Sequence, residues 1–295
     1  MLIVTNPGSN LSEAELAAYG VRLTPQQIVV DGVSHDTRAG VTHEQIDAWV
    51  RGAKVHPHVV GTTAAEFVTI FRELLRADPE VFAVMTSRRI IGSHDAAVAA
   101  ARTLVESHKT PRVHVLDSGV TDLGAGLACA LVGEAIAAGL TPAAIEELIA
   151  AYRAHARFVF VPETLDYLVK GGRATVVRAF LANVLGVRPL IGFVDGELKV
   201  LRKVDKKGDL AAELCAALEE TIPAGRPMWA AVMHGGGLVK ASLAATAVRA
   251  RWSVEWQVVR PLSPSIYLHA GPGTVGVAAI DLTALPWRPP KPRVA

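Results

Sequence analysis

A chain of 295 residues is long for one domain of roughly 100–200 residues and suits two. Hydrophobic residues make up 51% and charged residues 20%, a core-forming composition that excludes a disordered chain. Lys+Arg 30 against Asp+Glu 28 leaves a net charge of +2, no footprint for nucleic acid, and the two cysteines exclude a disulfide scaffold or a cysteine zinc site. Along the first half, strand and helix signals alternate. Leu2–Thr5 is a short apolar run closed by the turn cluster Asn6-Pro7-Gly8. Val21–Val30 with Asp31-Gly32 predicts two short strands around a turn. Thr63 to Glu66 is a capping box that opens a helix with Phe67, Ile70, Phe71 and Leu74 on one face. Val81–Met85 and Val113–Leu116 read as buried strands. Helices are expected at Ala96–Leu104, Leu123–Ala138 and Pro142–His155, the last with Thr141 as N-cap. This alternation predicts a parallel sheet covered by helices.

The second half reads differently. Phe158–Val161 is a strand, and Asp195-Gly196 joins Pro189–Val194 to Glu197–Val204 as a hairpin. Met228–Met233, Val254–Val259, Ile266–His269 and Val275–Ile280 are expected strands. Asp209–Glu220 and Leu238–Arg251 are expected helices. The fold class is therefore α/β in two domains. Residues 1–155 form an N-terminal α/β domain with a parallel sheet. Residues 156–285 form a C-terminal α+β domain with a mainly antiparallel sheet. Residues 286–295 form a flexible Pro-rich tail.

Mean hydropathy is +0.31, so the chain either spans a membrane or encloses a large apolar interior. A span needs about 20 consecutive apolar residues. The best stretch, Leu123–Leu140, carries Glu134 and several glycines. No signal peptide is visible at the start, and the expected address is the cytoplasm.

Loops at the carboxyl ends of the first-half strands are where a parallel sheet binds ligands: Asn6–Ser9, Thr86–Ser93 and Asp117–Asp122. Lys170-Gly171-Gly172-Arg173 offers close backbone approach and two cations to an anion, but lacks P-loop spacing. His269 stands at a Gly-Pro-Gly segment and is a candidate donor to an anionic head group. His234-Gly235-Gly236-Gly237 has no accompanying nucleophile elbow, and Gly124-Ala125-Gly126 lacks the third glycine of a dinucleotide fingerprint. No nucleophile–base pair and no metal-ligand spacing is found. Catalytic and metal residues are therefore expected to be absent.

Together these segments resemble the DegV family, whose best-known members are acyl-binding subunits of bacterial fatty-acid kinase. The resemblance runs from about Leu2 to Ile280. It is carried by Leu165–Arg173, the Asp195-Gly196 hairpin with Lys203-Val204, His269–Thr274, Asp117-Ser118 and Asp31-Gly32. It implies a lipid-binding protein that holds a long-chain fatty acid in an apolar tunnel, with the carboxylate at a polar cleft. A partner kinase would phosphorylate that carboxylate, and the binding protein would be no enzyme and need no cofactor. Burying a chain stabilises it by about 0.8 kcal/mol per methylene.

The sequence departs from the family at the head-group end. Val59-Val60 stands where the family has Thr-Ser, Ile91 where it has the carboxylate-binding serine, and Asp205 where it has an arginine. A carboxylate is not buried without donors. Three explanations stand. Thr62, Thr63 and Ser93 take over by a local shift, alongside Gly171, Gly172, Arg173 and His269 in the lipid site. Or the ligand is a different, non-carboxylate lipid or small molecule read by Arg88 or Arg89. Or only the fold is kept. A phosphoryl- or acyl-transfer enzyme using the 170–173 and 117–118 loops is the remaining alternative.

Overall fold

The computed structural model describes residues 1–107, 112–181 and 186–294. The first half contributes strands β1 (Leu2–Thr5), β2 (Val21–Leu23), β3 (Gln27–Val30), β4 (Val33–Asp36), β5 (His58–Val60), β6 (Glu80–Met85) and β7 (Arg112–Asp117). The second half contributes β8 (Arg157–Val161), β9 (Val187–Val194), β10 (Glu197–Asp205), β11 (Pro227–His234), β12 (Ser253–Pro261) and β13 (Val275–Asp281). One sheet is parallel throughout, in the order β2-β1-β6-β7. A second sheet has six strands in the order β10-β9-β8-β13-β11-β12, antiparallel except for the β11–β12 pair. The expected α/β class, with a parallel and a mainly antiparallel sheet, is what the chain adopts.

The sheets are joined by the helix Asp122–Ala137. Fourteen of its 16 residues, Asp122 to Ala135, are buried. Such a helix, apolar all round, belongs inside a core. It touches β1 and β6 of one sheet and β11 and β13 of the other. Its glycines serve that contact. A β-carbon on Gly124 would lie 3.1 Å from the Phe158 ring, and one on Gly126 would lie 2.7 Å from the Ser9 carbonyl. The incomplete dinucleotide pattern is thus a packing device. Four donors, Leu123 N, Asn10 Nδ2, Ser263 N and Ser263 Oγ, converge on the buried Asp122, which burial pushes up in pKa.

Two expectations are corrected. Ile266–His269 is not a strand but the middle of the helix Pro264–Ala270. Pro264 sits in its first turn, where a missing N–H is harmless, and a short apolar run has no periodicity to tell the two apart. Val21–Val30 is divided by Thr24-Pro25-Gln26, and its two strands enter different sheets. β2 pairs with β1, while β3, β4 and β5 form a small antiparallel sheet of their own. The Pro-rich tail touches the body. Arg293 donates from its backbone N–H to Glu134 Oε1 at 2.9 Å and lies over the Tyr19 ring. Residue 295 of that tail lies outside the described residues.

Candidate functional site

Segments from separate parts of the chain meet in one cleft of about 480 Å³. Asn6 follows β1 and Thr86 follows β6, and the two side chains hold each other. Asn6 Nδ2 donates to Thr86 Oγ1, and Thr86 N–H donates back to Asn6 Oδ1, both at 3.2 Å. The helix Pro264–Ala270 presents Ser265, Ile266 and His269. The small sheet and its connections bring Gln26, His56 and Val59. A further segment is Val169–Arg173, a widened helical turn in which Gly172 takes φ 81°, a left-handed conformation suited to glycine. Gly171 faces His269 so closely that a β-carbon there would collide with His269 Nδ1.

The electrostatics favour an anion. Arg173 is half-buried, and its guanidinium donates to the Gly171 carbonyl at 2.6 Å and the Ile90 carbonyl at 3.3 Å. Burial lowers its pKa, and among the described residues no carboxylate offsets that burial. His269 Nδ1 and both ring nitrogens of His56 are buried without a hydrogen-bond partner. Burial first, then Arg173 and His56, push the His269 pKa down to about 3, so its ring is neutral and carries one N–H. Burial also lowers the pKa of His56, with the Leu268 backbone partly opposing. Orphaned polar atoms beside an unpaired cation are costly unless something else satisfies them.

The cleft leads inward. Ile90, Thr121, Arg173, Ile266 and His269 line both the cleft and a slot behind it. The slot walls are hydrocarbon, chiefly Phe158, Phe160, Leu168, Phe193, Met233 and Leu262. Its free volume is about 50 Å³.

Of the residues expected in the lipid site, Gly171, Gly172, Arg173 and His269 line this cleft. The hydroxyls expected to replace the missing donors are not brought there. Thr62 Oγ1 lies at hydrogen-bond distance from Thr24 Oγ1, 2.7 Å, and the Pro25 carbonyl, 2.6 Å. Thr63 caps the helix Ala64–Ala77 in a reciprocal box with Glu66. Ser93 Oγ is buried without a partner, packed against Gly61 behind the lining residues Ile91 and Gly92. Val59 and Ile91 face the cleft, while Val60 is exposed. Asn6, Thr86 and Thr121 fall in the strand-end loops already suspected of binding. Gln26, His56 and Ser265 carried no sequence signal at all.

The neutral imidazole gives a pH prediction. Its ordinary pKa is 6.5 and its folded value about 3. Between these values the unfolded chain holds a proton that the folded chain does not. Stability therefore falls as pH falls through this window, by up to about 1.4 kcal/mol per pH unit for one such group, and is unaffected by it at higher pH. His269→Asn is expected to remove that slope in urea unfolding series from about pH 7 to about pH 4. An unchanged slope would refute the burial of a neutral His269.

The family model of an uncharacterised protein, DegV family, matches residues 1–282. A DegV domain-containing protein of Mycobacterium tuberculosis is 30% identical over 97% of this chain and 99% of its own. Among solved structures, a Thermus thermophilus DegV family protein described by its fatty acid binding superposes with a TM-score of 0.88. It is 24% identical over 95% of this chain and 99% of that one. A Eubacterium eligens DegV family protein loaded with heptadecanoic acid gives a TM-score of 0.81 at 21% identity, over 95% of this chain and 99% of that one. With the family model spanning nearly its whole length and a relative alike from end to end, this chain belongs to the DegV family.

Proposed function

We propose that this protein binds a long-chain fatty acid, with the carboxylate against Arg173 and His269 and the acyl chain in the slot behind them. The observation that carries this reading is the pairing of a carboxylate-free guanidinium and an orphaned neutral imidazole with a hydrocarbon-walled slot. A polar end and a greasy end in series match an amphiphile with an anionic head. The slot's 50 Å³ is far below the roughly 300–1,000 Å³ of small-ligand pockets, so chain entry displaces side chains. The reading extends to a cytoplasmic carrier that presents the carboxylate to a partner kinase and performs no catalysis itself. Residues 1–155 and 156–285 would serve as two domains closing on the ligand. Among the described residues no helix is long and apolar enough to cross a membrane, and no group of His, Cys, Asp and Glu side chains is placed to hold a metal ion.

The transfer-enzyme alternative is weakened by its second loop. Asp117 is flanked by Arg153 at 3.3 Å and Arg88 at 3.8 Å, and the Ser118 hydroxyl donates to the Val120 carbonyl. A lipid with a neutral head is favoured by Val59 and Ile91 in the cleft wall. Native mass spectrometry decides between them. The delipidated protein is expected to take up one fatty acid per chain from a mixture of equimolar fatty acid and fatty alcohol. Uptake of the alcohol alone favours the neutral head, and uptake of neither overturns the lipid reading.

A further inference from the structure

The second sheet is split beside the slot. β8 pairs with β13 along five residues, but with β9 only at Val159–Gly192 and Phe160–Ile191. Beyond those pairs, Phe158 on β8 and Phe193 on β9 have no cross-strand partner in each other. A second cavity of about 590 Å³ opens there, bounded by Gly119 and Arg153 on one side and by Leu201 and Thr221 on the other. Phe158 and Phe193 line both this cavity and the apolar slot. Their rings meet edge to face, centroids 5.2 Å apart and planes at 76°. Phe158 is fixed, 3% exposed and in edge contact with Phe160 as well. Phe193 is half-buried, two residues before the Asp195-Gly196 turn.

We propose that Phe193, closing on Phe158, is the gate that determines acyl-chain length. The proposal rests on the fatty-acid reading above. Once entry has parted the other side chains of the slot, a chain that stops short of the two rings leaves the ring pair intact. A longer chain has to turn the Phe193 ring into the second cavity, and its tail then follows through the split in the sheet. The ring is the movable half because Phe193 is only half-buried, whereas Phe158 is 3% exposed and held by Phe160 as well.

The test is the affinity of the wild type, Phe193→Ala and Phe193→Trp for saturated fatty acids of twelve to twenty-two carbons. The wild type is expected to show an optimum length. Phe193→Ala is expected to move that optimum by at least two carbons, with about tenfold tighter binding of the longer chain, since two more methylenes are buried. Phe193→Trp is expected to move it the other way. Fatty acids bound with an unchanged optimum in both variants would overturn the gate and leave the binding reading standing. A wild type that binds none of the series would overturn both. Thermal unfolding of each variant, expected to stay cooperative, separates a lost gate from a lost fold.

Discussion

Replacing Arg173 with Gln is expected to weaken fatty-acid binding about 100-fold, the loss of a charge-assisted contact in a half-buried setting. Glutamine keeps donors for the Gly171 and Ile90 carbonyls that Arg173 now holds, so the widened turn at 169–173 should survive. What it removes is the cation whose burial no carboxylate among the described residues offsets. The control is the methyl ester of the same fatty acid, which has no charge for Arg173 to meet. Ester affinity should be nearly the same in wild type and variant, while acid affinity separates them. Equal losses for acid and ester would mean that Arg173 shapes the cleft and does not contact the head group. Isothermal titration or displacement of a fluorescent fatty acid reads both.

Removing Arg260 is expected to cost about 3–5 kcal/mol of folding stability, a large share of the roughly 5–15 kcal/mol typical of a domain. Glu15 is 1% exposed and accepts from Arg260 at 2.6 and 2.8 Å, and from Ser12 N–H and hydroxyl at 2.8 and 2.9 Å. Arg260 also donates to the Asn10 carbonyl at 3.2 Å. The pair therefore clamps the first helix to β12 in the other half of the molecule. Arg260→Ala strands a carboxylate in the interior with only its Ser12 donors. The double variant Glu15→Gln/Arg260→Met should lose less than the sum of the single variants, because the stranded charge is gone. A cost below about 1 kcal/mol for Arg260→Ala in urea unfolding would mean that water reaches Glu15 and relieves it.

Much of the fold was legible in the residues. Thr63 with Glu66, and Thr141 with Pro142, mark helix starts that the structure keeps, because capping depends on neighbours three residues apart. Asp195-Gly196 makes its hairpin because the turn's positive φ angles, 53° and 81°, are a local demand. Local patterns failed where the apolar run was short, as at Ile266–His269. They also failed where a strand's partner lay far away, as with the small sheet of β3, β4 and β5. For the site, Gly171, Gly172, Arg173 and His269 were named from their motifs and do meet. Thr62 and Thr63 were named by proximity along the chain to Val59-Val60. In space one hydroxyl is taken up by Thr24 and Pro25, and the other by the helix cap.

The sequence by itself determined many of the elements, the two kinds of sheet and the family, because periodicity, caps and turns are short-range and several motifs recur in order. Only the tertiary structure decided which side chains line the cleft. His56, Gln26 and Ser265 are unremarkable in the chain and acquire meaning from the cleft that assembles them. Burial turns His269 into a neutral ring and leaves Arg173 uncompensated, and both effects arise from the surroundings that packing creates. The high mean hydropathy likewise stated only that the interior is large. Whether that interior holds a slot, and that Phe193 lines both it and the second cavity, is set by which strands pair and where β8 and β9 part.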